Sequence, residues 1–398
     1  MRAIVVGGGI AGPAAGMALH AVGFEATVLE SRPSGAGSGS WFTVAPNGVA
    51  ALAELDALEA VRGIGVATRR NIMVGATGAP LGSVGLGAPL PDGTPALSFR
   101  RPELAAALAT EAARRGVDVR HDARVAAVET TGSVAAVTLE SGRRLEADIV
   151  VGADGIHSVV RSAIDPHAPA ARYLGLANFG GITRGTRLTA ELPPESWTFV
   201  FGRRAFYGAL PTPAGDVVWF VNEPRPAITR TERTAMTDAA WQRHLVGLAA
   251  PDSGPFADLI AAGELELAGD STFDLPRVPT WSRGRLALIG DAIHAPSPSS
   301  GQGASMALED AVVLAACLAA SDGSPADAFA AFEDQRRARV EKIVAQGARS
   351  SSSKTAGPIA RIFQDRMLRF VFRHFVTDES QAWIHDYRAR LGGARRIP

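Results

Sequence analysis

Residues 2–12 read RAIVVGGGIAG, and this stretch decides the fold. Arg2–Val6 is a short apolar run with the β-branched content of a buried strand. Gly7, Gly9 and Gly12 follow it in the spacing G-x-G-x-x-G, and the small residues of 11–22 predict a helix. A second strand is expected at 25–30, EATVLE, which completes a βαβ unit. Each glycine has a physical task. Gly7 permits a tight turn, Gly9 lets the backbone approach a diphosphate, and Gly12 lets the helix press against the sheet. The diphosphate then meets the positive end of the helix dipole. Glu30 closes the second strand about 20 residues on, where an acid should hold a ribose hydroxyl. The unit predicts a dinucleotide without saying which one.

Two more strand-to-turn motifs lie downstream. Residues 148–164, DIVVGADGIHSVVRSAI, run from a strand into Gly152-Ala153-Asp154-Gly155, with a helix expected from about Ser158. By itself Ala-Asp-Gly is a turn. From Gly284 the chain reads GRLALIGDAIHAPSPSSGQGASMALEDAVVL. A strand ends in Gly290-Asp291, a Pro/Ser/Gly loop follows, and a helix opens at Gly301-Gln302-Gly303. Exposed N–H groups at such a start attract negative charge. Asp291, at a strand end, suits a ribityl or ribose hydroxyl.

Working outward, helices are expected at 46–62, 101–115 (stopped by Gly116), 235–250, 255–263, 303–320, 325–350 and in a tail over 358–391. Short strands are expected at 117–121, 123–130 and 133–139. Residues 75–92 are rich in Gly and Pro and read as turns with short strands. The stretch 172–275 is different. Trp197, Phe199, Phe201, Phe206, Tyr207, Trp219 and Phe220 crowd into runs separated by turns, which reads as antiparallel sheet.

With 398 residues the chain suits two or three domains, and 46% hydrophobic residues supply a core. Lys+Arg and Asp+Glu are both 40, so there is no basic excess to suggest nucleic acid. A single cysteine, Cys317, excludes an internal disulfide or a redox pair, and its apolar run predicts a small buried side chain. The N-terminus is too glycine-rich for a signal peptide. No uninterrupted apolar run of about 18 residues predicts a spanning helix. These features lead to the expectation of a soluble, cytoplasmic protein with no membrane or nucleic-acid partner and no metal.

Taken together, the three motifs resemble the FAD-dependent aromatic hydroxylases, the class A flavoprotein monooxygenases that include para-hydroxybenzoate and urate hydroxylases. Gly290, Asp291, His294, Pro298, Gly301, Gln302 and Gly303 match the family's GD…H…P…GQG pattern. Arg101, Leu104 and Leu108 resemble its arginine-led helix, and Ala45-Pro46-Asn47-Gly48 its segment after the flavin-bordering loop. The resemblance implies an α/β fold: a three-layer, Rossmann-type FAD-binding domain over 1–72, 98–171 and 276–330. An antiparallel-sheet substrate domain is implied over 73–97 and 172–275, with a C-terminal helical segment over 331–398.

It also implies roles. Gly7, Gly9, Gly12 and Glu30 would hold the adenosine half of non-covalent FAD, with Ile10, Ala11, Ser31, Arg32 and Val125 as further cofactor contacts. Arg101 would lie along the diphosphate or ribityl chain, Asp154 and Gly155 at the diphosphate, and Asp291 at the ribityl. Pro298, Gly301, Gln302, Gly303 and Ala304 would border the flavin ring. A helix N-terminus there suits the negative charge of the reduced ring. The implied reaction hydroxylates or epoxidises a small aromatic or polycyclic metabolite with O2 and NAD(P)H, NADPH being favoured, through a C4a-hydroperoxyflavin. No side chain is expected to transfer oxygen. Arg204, Tyr207 and Pro298 are candidates for orienting the substrate, and a loop-capping role is expected for His294. The cluster Phe179, Phe201, Phe206 and Trp219 reads as plain core before it reads as a substrate cage. A monomer or homodimer is expected.

Other flavoenzymes are tested by their marks. A disulfide reductase needs a cysteine pair. A two-Rossmann monooxygenase needs a second glycine fingerprint, and Gly82-Ser83-Val84-Gly85-Leu86-Gly87 lacks the spacing and flanks. The W-x-W-x-I-P segment of flavin halogenases is not found. A flavin reductase of an isoprenoid-like substrate shares the scaffold, as would a catalytically silent flavin-binding protein. The stretch 35–42, GAGSGSWF, departs from the family in its aromatic residues, which bears on substrate choice.

Overall fold

In the structure, a computed structural model, residues 1–34, 39–275, 277–352, 367–372 and 376–392 are described. Gly35–Ser38 of the departing loop, and 353–366, 373–375 and 393–398 of the expected helical tail, lie outside them.

Arg2–Val6 sits inside a six-stranded sheet. The order is Ser282–Arg283, Leu286–Leu288, Ile149–Gly152, Arg2–Val6, Glu25–Leu29 and Asp118–Arg120. All neighbours pair in parallel except the short first pair. Parallel strands at the centre of such a sheet are covered on both faces, which is why Ala3–Val6, Ile149–Gly152 and Leu286–Leu288 are apolar and buried. Helices Ala11–Ala21, Arg101–Arg114 and Gly303–Ala320 form one layer. An antiparallel sheet of Val125–Thr131, Val134–Leu139 and Arg144–Ala147 forms another, with Ala135 and Val137 in the common core. Register brings the three motifs together: Val6 pairs with Gly152, and Gly152 with Leu288. The turns at Gly7, Ala153 and Gly290 therefore emerge side by side at the carboxyl ends of adjacent strands, where open α/β sheets bind ligands.

The expected helix over 46–62 is two helices, Pro46–Glu54 and Leu58–Arg62. Asp56 between them has φ 55°, a left-handed turn that ends the first. Gly303–Ala320 is 18 residues and apolar enough to span a membrane by length and composition. It carries Glu309 and Asp310 and packs as a core helix, with Cys317 buried in it as expected.

A seven-stranded sheet stands beside this body. Its order is Glu264–Asp274, Arg172–Thr183, Val217–Pro224, Phe206–Pro211, Ser196–Phe201, Arg70–Gly75 and Pro80–Gly85. It is antiparallel except where Ser196–Phe201 and Arg70–Gly75 pair in parallel. Those strands come from distant segments, so no hairpin dictates their direction. Alternation sends Phe179, Tyr207, Trp219 and Val221 to one face, closed by Trp241, Leu245, Phe256 and Leu259 of helices Asp238–Ala249 and Phe256–Ala262. The other face looks toward the glycine turns.

Candidate active site

One cavity of about 1250 Å³ runs from the glycine turns to the free face of the seven-stranded sheet. Ligand pockets usually measure about 300–1,000 Å³, so this one has room for a dinucleotide and a second molecule.

At one end the walls are backbone. Gly7 has φ +108°, and a Cβ there would lie 2.4 Å from the Ala153 carbonyl oxygen. A Cβ on Gly12 would lie 1.8 Å from the Gly7 carbonyl oxygen, so the turn and helix admit only glycine at both positions. Gly9 differs: its Cβ would enter open space, in the cavity itself. Ile10 caps the helix Ala11–Ala21 without any side-chain hydrogen bond, and no acid stands in the first turn. Its first N–H groups are therefore unanswered donors facing the cavity. The helix Gly303–Ala320 repeats the arrangement. Gln302 stands at its N-cap without a side-chain capping bond, no acid stands in its first turn, and Gly301 turns into it at φ +61°.

Charged side chains sit between these helix starts. Arg101 and Asp291 line the cavity, and neither side chain bonds to another group among the described residues. Glu30 ends its strand with Oε2 accepting from the Gly8 N–H at 2.7 Å and Oε1 from the Arg32 N–H at 2.9 Å. Two helix N-termini, a bare arginine, a bare aspartate and a glycine whose missing side chain leaves the path clear fit the diphosphate, ribityl and ring edge of FAD.

A buried ionic network holds the second helix start. Asp310 accepts from the Gly290 N–H at 2.9 Å and from Arg336 Nε at 2.8 Å, and lies 2.5 Å from His294 Nε2. Burial pushes the Asp310 carboxyl up, but His294 and Arg336 outweigh it and hold it at about 2. Glu309 pairs with Arg336 and Arg339 and accepts from Asn47 Nδ2 at 2.6 Å. The same Asn47 amide donates to Gln302 Oε1 at 3.0 Å, which fixes the side chain at the helix start. His294 thus locks its loop to a helix.

At the other end the walls are side chains. Three cross-strand rows share the sheet face on the cavity side. Asn178, Asn222, Phe206 and Phe201 form the first. Gly180, Phe220, Gly208, Phe199, Met73 and Gly82 form the second. Ile182, Val218, Leu210 and Trp197 cluster in the third, which Asn71 and Val84 extend. A Cβ on Gly208 would meet the Phe220 ring at 2.2 Å, so the ring lies across the glycine. Met367, Leu368, Phe372 and His385 close the cavity from the C-terminal segment. His385 is 6% exposed, and burial depresses its pKa to about 4.

The placement of the expected residues is uneven. Gly9, Ile10, Ala11, Arg101, Gly155, Asp291, Pro298, Gly301, Gln302, Gly303 and Ala304 line the cavity. Ser31 and Arg32 follow Glu30 at the neighbouring strand end, outside the lining. Val125 is packed in the core, facing Leu139 across a strand pair. Asp154 turns away: its carboxylate accepts from Ser158 Oγ and the Val159 N–H at 2.5 and 2.7 Å, capping the next helix, and burial pushes it up.

Tyr207 and Arg204 are not at the cavity. Tyr207 is fully buried on the opposite face against Phe256, because strand alternation gives the cavity to Phe206 and Gly208. Burial also raises its pKa. Arg204 is exposed in the preceding turn and donates to the Gly247 carbonyl at 3.2 Å. The aromatic cluster splits for the same reason: Phe201 and Phe206 line the cavity, while Phe179 and Trp219 are core. Sequence reasoning missed Asn178, Asn222, His385 and the Glu309–Arg336 network. Two acids inside an apolar helix were the available signal for the network; the asparagines carried none.

This geometry defines a flavoprotein with a cofactor cradle opening on an aromatic substrate face. The FAD binding domain family matches residues 1–347, and the chain belongs to that family, as an FAD-dependent monooxygenase of the aromatic hydroxylase type. It is 32% identical over 412 residues to the 3-amino-4-hydroxybenzoate 2-monooxygenase PtmB3 of Streptomyces platensis, covering 99% of this chain and 98% of the relative. It is 31% identical to an FAD-dependent urate hydroxylase of Klebsiella pneumoniae, covering 86% and 88%. The fold matches the crystal structure of Klebsiella pneumoniae HpxO complexed with FAD and uric acid, with a TM-score of 0.80 at 27% identity over 93% of each chain.

Proposed function

We propose that this protein hydroxylates or epoxidises a small aromatic or polycyclic metabolite, using O2 and NADPH. The carrying observation is the single cavity that joins two unanswered helix N-termini to an aromatic face. FAD held there would supply the redox chemistry, by which two electrons from NADPH and one O2 would give one oxygen atom in the product and one in water.

The chain's own residues bind, orient and exclude water. Gly7, Gly9, Ile10, Ala11 and Gly12 form the diphosphate turn, and Arg101 and Gly155 flank it. Glu30, Ser31, Arg32 and Val125 belong to the adenosine end, Val125 by supporting the strand beneath it. Asp154 acts by capping its helix and so fixing the Ala153–Gly155 turn. Asp291 takes a ribityl hydroxyl. Pro298 and Gly301–Ala304 border the ring, where the helix N-terminus stabilises charge on its reduced form. Phe199, Phe206 and Phe220 receive the substrate and keep water from the reacting atoms. NADPH binds transiently, since one glycine fingerprint serves one dinucleotide. The chain works in a reducing compartment, as its lone buried cysteine fits.

The purified protein is expected to be yellow, to release free FAD on denaturation, and to consume O2 with NADPH when an aromatic substrate is added. A colourless protein that stays empty when FAD is supplied would overturn the proposal.

A further inference from the structure

Asn178 and Asn222 face each other across a strand pair, at the margin of the aromatic face. Asn222 Nδ2 donates to Asn178 Oδ1 at 2.9 Å. That bond leaves the Asn178 amide group as a donor and Asn222 Oδ1 as an acceptor, and neither bonds to any other group among the described residues. Both residues line the cavity, and Asn222 is only 9% exposed. Asn178 is half-buried and both free groups open onto the cavity, where a ligand can answer them. Reversing both amides exchanges the atoms but leaves the same surface: one donor beside one acceptor. Phe206 is the next residue in register beside Asn222, so this polar edge adjoins an aromatic ring.

We propose that the Asn178–Asn222 pair determines specificity by reading the adjacent C=O and N–H of an uncharged lactam fused to an aromatic ring. This rests on the cavity being the substrate site. A lactam presents one acceptor and one donor on a single ring edge, the complement of the pair. A carboxylate presents two acceptors and a charge, which sets one oxygen against Asn222 Oδ1 and leaves its charge in apolar surroundings. An ortho-hydroxy ketone satisfies its own O–H internally and has no donor left to offer. The flat ring then lies against Phe206, Phe220 and Phe199, which supply burial without direction.

The test titrates the FAD-loaded full-length protein with three probes: 2-quinolone, its N-methyl derivative and 2-naphthoate. Binding is read from the perturbed absorption of the bound flavin and from calorimetry. 2-Quinolone is expected to bind about tenfold more tightly than either analogue, the worth of one buried hydrogen bond. Replacing both residues, Asn178→Leu with Asn222→Leu, is expected to erase that preference while retaining FAD content; N-methylquinolone, which keeps its carbonyl, is expected to weaken by no more than the one bond that carbonyl accepts. Equal affinity for the lactam and its N-methyl form in the unaltered protein overturns the inference and leaves the monooxygenase reading standing. A preference that survives both substitutions overturns it too. If no aromatic probe perturbs the flavin of loaded protein, the substrate-site reading falls, and this inference with it.

Discussion

The two ends of the cavity are built from different materials. At the glycine turns the contact surface is backbone: N–H groups left over at two helix starts, and space kept open by an absent side chain. At the sheet it is side chains, one per alternate residue, assembled from strands that lie far apart in the chain. Backbone surfaces read charge and shape common to every FAD. Side-chain surfaces can change residue by residue without disturbing the strands beneath. The constant ligand therefore meets the constant chemistry of the peptide group, and the variable ligand meets the variable part.

The largest expected effect breaks the first end alone. In Gly9→Val the new Cβ enters the cavity with no protein atom within 4 Å of it. The variant should fold with unchanged circular dichroism but purify colourless and fail to take up FAD. Normal flavin content would show that the diphosphate does not pass Gly9.

Next is the network behind the second helix start. Arg336→Met leaves Glu309 and Asp310 short of a partner in a fully buried setting. Removing one member of such a pair costs about 3–5 kcal/mol, readable as a lower denaturation midpoint. A loss under about 1 kcal/mol would mean that the network is not a structural element.

The sheet end carries an acid sensitivity of its own. His385 is held at about 4 against an ordinary 6.5, chiefly by burial, with Arg339 and Arg388 lowering it further and Asp386 and Asp378 opposing them. Its folded value lies below its unfolded one, so the unfolded chain binds the proton first. Stability should be intact above pH 6.5, fall as pH drops toward 4, and then level off for this group. The loss is at most about 3 kcal/mol. His385→Gln should flatten the stability profile across that window, and an unchanged slope would contradict the assignment.

Much of the flavin end was legible in the sequence because its rules are local. A glycine spacing, a strand before it and a helix after it are read within one window, and Gly7, Gly9, Gly12 and Gly301–Gly303 were found that way. Even here Asp154 misled, since a turn aspartate caps its own helix as readily as it faces a ligand. The sheet end was legible as a sheet and no further. Which face Phe206 and Tyr207 occupy depends on register with distant strands, and a shift of one residue exchanges them. Asn178 and Asn222 meet through a pairing between residues 44 apart, which no local pattern records.

The smallest effect returns to the boundary between the two ends. With Asp291 on a ribityl hydroxyl, as proposed, Asp291→Ala should weaken FAD binding by about 1.5–3 kcal/mol, or roughly ten- to a hundredfold. Fluorescence titration of the apoprotein measures it, and an unchanged dissociation constant would mean that Asp291 faces something else.

The central claim is that one cavity brings flavin and aromatic substrate together so that oxygen passes between them. Turnover of the true substrate under isotopically labelled O2 tests it most directly. The account predicts one labelled oxygen atom in the product, with little hydrogen peroxide released beside it. Conversion without label, or conversion in the absence of oxygen, would contradict it.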